Sequence, residues 1–324
     1  FNVEVQKIVS VALPDGILEE YSVQHQPNKN FQPGGVLAAR KYLRSFLYER
    51  KSNYAKNISK PQESRISCSR ISPYLAWGNM SMKQVYRATL KTIEETGDKR
   101  NLNFFIARLH WHCHFIQKFE TECRMEFENL NHGFDVIRTE TNADFVKAWQ
   151  EGNTGYPLVD SCMRCVQATG YLNFRMRSML VSFLTHHLWQ PWQAGATFLA
   201  KQFLDYEPGI HYSQFQMQAG TMGVNTIRIY NPIKQSIEHD PEGTFIKKWV
   251  PELQNVPTEF IHEPWKIPTE LQNKLGIGTR YPLPIVNVEQ TGRFAREHLW
   301  RTKKSKKVQA ENIAVLRRHT QRGS

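Results

Sequence analysis

Apolar residues recur along this chain at intervals of three and four, a spacing that predicts helices almost throughout. Val36, Leu37, Leu43, Phe46 and Leu47 follow Gly34-Gly35 at helical spacing. Ser72-Pro73 predicts the next start, with Ser as N-cap and Pro at the first helical position, and Gly78 predicts its end. Ser81-Met-Lys-Gln84 has the form of a capping box, and Thr96-Gly97-Asp98 breaks the helix it opens. A third apolar series begins near Asn103 and carries Phe104, Phe105, Leu109, Trp111, Phe115, Ile116 and Phe119. Pro157 starts a helix with Leu158, Cys162 and Val166 on one face, and Gly170 ends it. The clearest stripe is Met176, Met179, Leu180, Phe183, Leu184 and His187. Ala194 to Leu204 predicts one more helix, ending at Asp205-Tyr-Glu-Pro-Gly209. Neither a sustained period-2 run nor strand–helix alternation occurs, so an all-α fold is expected and the pattern argues against an open parallel sheet.

The same pattern divides the chain. Residues 1–33 read as an extended lead-in, with turn signals at Pro14-Asp-Gly16 and Gln26-Pro-Asn28. Residues 34–300 read as the helical domain, although 240–300 hold many prolines and only short apolar pieces. Residues 301–324 read as a basic, solvated C-terminal helix or tail. The first residue is Phe1, which raises the expectation of a fragment of a longer protein.

Composition narrows the class. Hydrophobic residues make up 40% of 324, enough for a substantial core. No apolar run approaches the ~20 residues of a membrane span. Five cysteines, an odd number, do not suggest a disulfide framework, and a reducing, cytoplasmic setting is expected. Cys162-Met-Arg-Cys165 lies inside an apolar helix pattern and reads as a pair of core thiols. His110, Cys113 and His114 share a helix face, but no second His/Cys cluster supplies a fourth ligand, so no metal is expected. The net charge of +12 points to a polyanionic partner, most often nucleic acid. Much of it sits in Arg301-Thr-Lys-Lys-Ser-Lys-Lys307 and Arg317-Arg318, as a basic tail alone would also place it.

Two stretches carry candidate chemistry. Between Trp149 and Pro232, Arg175, Arg177, Asp205, Glu207 and His211 are polar groups that a helical core would not bury without a partner, and they read as the wall of a cofactor pocket. Residues 64–72, Ser-Arg-Ile-Ser-Cys-Ser-Arg-Ile-Ser, place five hydroxyl or thiol side chains and two arginines in nine positions. Such a segment offers hydroxyls, N–H groups and a helix dipole to an anion, although an ordinary capped loop has the same residues.

Several long motifs stand in a shared order: the Ser-Arg-Ile-Ser-Pro-Tyr-Leu75 loop, Trp149-Gln-Glu-Gly-Asn-Thr-Gly-Tyr-Pro-Leu-Val-Asp160, Met163-Arg164, Arg228-Ile-Tyr-Asn-Pro232 and Asp240-Pro-Glu-Gly243. Together they resemble the helical FAD-binding domain of the DNA photolyases and cryptochromes. The resemblance implies a U-shaped FAD at the centre of the domain, bound without a G-x-G-x-x-G fingerprint, which this chain lacks. It implies that Tyr54 and the loop Cys68, Ser69, Arg70, Ile71 and Ser72 hold the pyrophosphate. It implies that Arg177 and Asp205 pair against the flavin ring, with Glu207 as a second acid and His211 facing the reactive flavin nitrogen. Phe105, Trp111 and His112 would border the pocket. A cation beside the ring favours its reduced, anionic state, and a carboxylate compensates the buried arginine. The family's α/β antenna domain is absent from these residues.

The implied activity is that of a photolyase-type lyase: light-driven electron transfer from reduced flavin to a pyrimidine dimer flipped out of damaged or single-stranded DNA, by a monomer. A blue-light photosensor that binds FAD and repairs nothing is the alternative, and a basic nucleic-acid-binding module without cofactor is a third. This sequence departs from the family pattern at named positions. Arg108 stands where cyclobutane-dimer photolyases place a Glu, Met217 where they place a Trp, Ser178 for a Met and Phe174 for an Asn. Trp149 and Trp192 match the outer two members of the usual tryptophan relay, but the inner one is Phe215, a poor hole carrier. Flavin reduction by this route should be slow or rerouted.

Overall fold

The computed structural model describes residues 28–319, with side chains through Arg317. Contacts divide the chain into a first unit ending at Gln32 and a second running from Pro33. Of the first unit only a turn is described, in which the Phe31 amide donates to the Asn28 carbonyl. The expected extended lead-in therefore falls almost wholly outside the described residues.

The second unit is built of helices. They are α1 (Val36–Ser45), α2 (Ser72–Ala76), α3 (Met82–Thr96), α4 (Lys99–Thr121), α5 (Ala143–Glu151), α6 (Pro157–Thr169) and α7 (Phe174–Ser182). There follow α8 (Gln193–Gln202), α9 (Pro208–Ala219), α10 (Pro232–His239), α11 (Thr244–Trp249), α12 (Thr269–Leu275), α13 (Val288–Lys303) and α14 (Lys306–His319). Among the described residues the only strand-like pairing is a single bridge between Ile277 and Tyr281. The all-α expectation holds.

The stop and start signals act as the sequence suggests. Ser81 and Gln84 form both halves of the capping box on α3, and Gly97 ends that helix in a left-handed conformation. Pro157 opens α6 and Gly170, at φ +66°, closes it. Other bounds moved. α4 begins at Lys99, a full turn before Asn103, and α8 runs from Gln193 to Gln202, not Ala194 to Leu204. After Ser182, α7 passes into a wider π-helical turn, Phe183–His187. The imidazoles of that turn leave the apolar stripe for the carbonyls of Gln218 and Tyr230 and the hydroxyl of Thr291.

The largest core cluster joins α6, α7, α9 and α11, and it contains Trp149, Met163, Met179, Leu184 and Phe245. A second joins α1, α3 and α4 through Phe46, Tyr54, Val85, Leu102 and Phe105. α6 is buried from Pro157 to Met163, including the carboxylate of Asp160. That carboxylate is held by the Thr154 amide (2.8 Å), the Thr154 hydroxyl (2.7 Å), the Gly155 amide (3.0 Å) and the Tyr281 phenol (2.6 Å). The Thr154-Gly-Tyr-Pro-Leu-Val-Asp160 motif is thus a capped turn locked onto a distant loop. Cys162 and Cys165 are buried free thiols, as expected.

The basic C-terminal end is helical, and most of the described side chains of α14 are exposed, but the domain boundary placed after residue 300 falls inside α13 and α14 packs along one edge. Val308 and Val315, seven residues apart, are buried, and Val308 joins Phe134 and Leu299 in a third cluster. The Asn131 amide donates to the Val308 carbonyl and the Asn312 side chain. At Gly133 an added Cβ would lie 2.8 Å from the backbone of Val308. Overpacking of this kind costs ~1–3 kcal/mol. Gly133→Ala should therefore lift α14, and trypsin should cut at Lys306 and Lys307 several times faster than in the parent. An unchanged cutting rate would show that α14 is not held there.

Candidate functional site

The site is built around Asp205, in the turn between α8 and α9. Asn173 caps α7 by accepting from the Met176 amide (3.2 Å), and its own side-chain amide donates to the Ile58 carbonyl (3.1 Å). This fixes the first turn of α7 and places Arg177. One η nitrogen of Arg177 donates to both Asp205 oxygens at 2.9 Å, and its Nε donates to the Leu172 carbonyl at 2.9 Å. The guanidinium lies 3.9 Å from the centroid of the Phe203 ring. Asp205 also accepts from the Ser72 hydroxyl at 2.7 Å. The Asp205 side chain is 7% exposed and that of Arg177 24%. A buried charge pair is tolerated when further hydrogen bonds support it, as those of Arg177 Nε to Leu172 and of Ser72 to Asp205 do here.

Ser72 was expected to cap α2. Instead Ile71 precedes the helix, with no side-chain cap, and the Ser72 hydroxyl serves Asp205. A charged acceptor wins over a cap because charge-assisted hydrogen bonds are about twice as strong as neutral ones.

The loop before α2 is held by a residue the sequence reading missed. Arg50 donates to the carbonyls of Ile66 (2.7 Å), Cys68 (2.5 Å), Ser69 (3.3 Å) and Tyr42 (3.0 Å). It lies in a polar stretch 16 to 19 residues from the loop carbonyls, and no motif marks it. Inside the loop, Arg70 adopts a left-handed backbone (φ +58°) and stacks 3.7 Å from the Tyr171 ring centroid. Cys68 and Ile71 turn into the α1–α3–α4 core, where burial pushes the Cys68 thiol up to about 12. Tyr54 lies in the same cluster, edge-on to Phe46 and Phe105, and burial raises its phenol. Ser69, Arg70 and Ser72 are the loop members outside that core.

α4 and α9 bring two imidazoles. His112 is largely buried, with no hydrogen-bond partner for Nδ1; burial lowers its pKa against the pull of Asp205. His211 Nε2 donates to the Ala196 carbonyl at 2.8 Å, and its ring sits 4.6 Å from Phe215 and 5.3 Å from Tyr206. Burial pushes the His211 pKa from 6.5 down to about 4. Between those two values the unfolded chain takes up a proton that the folded chain refuses, so stability falls as pH drops through the window. His211→Gln should flatten part of that decline in urea midpoints. Identical slopes would show that the ring is free to protonate in place.

Glu207 acts as the N-cap of α9, accepting from the Gly209 amide at 3.4 Å. Trp149 is fully buried and donates to the Leu180 carbonyl, and Trp192, 2% exposed, donates to Asn129. A cleft of about 270 Å³ opens beside Trp192, not beside Asp205. Three candidates have solvent-exposed side chains. They are Trp111, stacked on Phe115, Arg108, over the Phe104 ring, and Phe174 at the start of α7. Among the described residues no His/Cys/Asp/Glu group is arranged to hold a metal ion.

Residues 105–301 match the family model described as the FAD binding domain of DNA photolyase. The chain belongs to the DNA photolyase and cryptochrome family. A deoxyribodipyrimidine photo-lyase of Alkalihalophilus pseudofirmus is 33% identical over 253 residues, covering 76% of this chain and 51% of that protein. Cryptochrome-2 of Arabidopsis thaliana is 31% identical over 308 residues, covering 89% and 50%. The solved structure of a Synechocystis cryptochrome superposes with a TM-score of 0.77 at 28% identity, over 82% of this chain and 56% of that one. The chain thus spans about half the length of the curated relatives it matches. The photolyase and cryptochrome family has FAD as its cofactor in this domain.

The residues present fit that cofactor. His112 Nδ1, Arg175 Nε and Ser178 Oγ are buried without a hydrogen-bond partner among the described atoms. Buried polar atoms are rarely left so, and a polar ligand is one way to satisfy them. Arg175 and Ser178 lie off the apolar stripe of α7, as the sequence pattern required. A cation–carboxylate pair with hydroxyl donors suits an isoalloxazine and two phosphates.

Proposed function

We propose that this chain is the flavin-bearing part of a light-driven DNA-repair lyase, its helical cofactor domain running from Pro33 to the end of α14. Bound FAD supplies the light absorption and the electron that splits a pyrimidine dimer flipped out of damaged DNA. The Arg177–Asp205–Ser72 cluster carries this reading. Arg177 holds a fixed positive charge beside the ring and favours its anionic, reduced form, while Asp205 keeps that arginine in place. Ser69 and Arg70 offer donors to the phosphates, Ser72 ties the loop to Asp205, and Tyr54, Cys68, Ile71 and Phe105 back the loop. His112, His211 and Glu207 border the ring, with His211 neutral at physiological pH. Arg108, Trp111 and Phe174 form the exposed rim that meets the flipped base. Trp149 and Trp192 conduct electrons inward, and Phe215 interrupts them.

The test is blue-light illumination of a dimer-containing oligonucleotide with chemically reduced protein. Splitting of cyclobutane or 6-4 lesions supports the proposal, and no splitting of either removes it. A photosensor is the second reading, favoured by Ser178, Met217 and Phe215, where the lesion wall and relay depart from the family pattern. It expects a light-dependent change in flavin absorbance and in partner binding without repair, and a spectrum indifferent to illumination would count against it.

A further inference from the structure

The C-terminal helix pair concentrates charge in a way the flavin site does not use. Between Arg293 and Arg318 the chain has nine lysines and arginines against Glu297 and Glu311, a net seven of its twelve positive charges. These cations are not on a loose tail. α13 buries Val288, Gly292, Ala295 and Leu299, and α14 buries Val308 and Val315. The opposite face of α13, with its C-cap, carries Arg293, Arg296, Trp300 and Lys304 at three- and four-residue spacing, all exposed. Among the described residues none of the α13 and α14 lysines and arginines lies within ion-pair distance of a carboxylate. Surface ion pairs do form elsewhere, as at Lys91–Glu95 and Lys234–Glu238.

We propose that the outer face of α13 and α14 is a second nucleic-acid contact, gripping the phosphate backbone of double-stranded DNA without regard to sequence or damage. From Arg293 to Lys304 the helix rises ~16 Å, at about 1.5 Å per residue. Duplex DNA carries one phosphate charge per ~1.7 Å of axis, so a rigid stripe of this length meets several phosphates at once. Trp300 and Phe294 are the two exposed aromatics of α13, and Phe294 already packs on Trp189 at 5.0 Å; this is not the row of stacking platforms that single strands require. A membrane surface fits less well, because the main apolar stripe of α13 is spent on the core and the exposed apolar side chains, Phe294, Trp300, Ile313 and Leu316, are only partly exposed and stand among cations. The surface depends only on charge and packing, and stands whether or not the flavin site repairs DNA.

The experiment uses the whole chain in the dark with an undamaged fluorescent duplex, measured by anisotropy over a range of salt. Each phosphate contact contributes a slope of about 0.9 in log K against log salt. The triple variant R293E/R296E/K304E should lower the slope by about 2.7 and weaken binding at least about tenfold at moderate salt. The matched variant K83E/R87E/K91E changes net charge equally on the exposed face of α3 and should retain most of the parent slope. Circular dichroism melting confirms that both fold. Equal losses in the two variants, or no loss in the first, would overturn the proposal. Loss of binding to phosphatidylserine vesicles in R293E/R296E/K304E, with duplex binding intact, would overturn it in favour of a membrane surface.

Discussion

Asp205→Asn should leave most of the purified protein without flavin and lower its thermal midpoint. The substitution keeps the shape and an acceptor for Ser72, so what it removes is the counter-charge of Arg177. Breaking a buried pair by removing one partner costs ~3–5 kcal/mol, because the remaining charge is left uncompensated. Arg177 retains 24% exposure, which argues for the lower end, about 3 kcal/mol. At roughly 2–4 °C per kcal/mol the midpoint should fall by roughly 6–12 °C. The ratio of flavin to protein absorbance and a melting curve measure the two effects separately. Full flavin content at an unchanged midpoint would remove this cluster from the cofactor site.

Asp160→Ala should be the more damaging change for the fold and the lesser one for the site. It strands two backbone amides, the Thr154 hydroxyl and the Tyr281 phenol, all in the interior. Each buried donor left unmade costs ~1–3 kcal/mol, so a combined loss of about 4 kcal/mol or more is expected. The midpoint should fall by roughly 8 °C or more, while flavin per folded molecule stays near the parent value. Asp160→Asn keeps an acceptor and should recover part of the loss. A midpoint within a degree or two of the parent would mean that water replaces the carboxylate and that the motif is not a lock.

Much of this was legible in the sequence, for identifiable reasons. Helix signals that act locally, such as the Ser81–Gln84 box, Pro157 and Gly170, were read correctly because their physics lies within one turn. Asp205 and Arg177 were legible as partners through the resemblance and as polar residues with no place in a bare core. Arg50 was not, because its acceptors are carbonyls, which leave no trace in residue identity. Ser72 misled because a hydroxyl before Pro looks like a cap wherever its proton goes. The buried edge of the basic end was hidden for a related reason. Val308 and Val315 are too sparse a pattern to announce a buried face, and what admits them is the missing side chain of Gly133, far away in sequence.

A similar omission sets how α9 meets α4. Gly209 opens α9 directly against α4, where a Cβ would come within 2.8 Å of the Ile116 Cα. Backbone touches backbone there, so the helices bearing His112 and His211 are set apart by covalent geometry. The relative placement of His112 and His211 is therefore fixed by the fold itself, before anything binds near them.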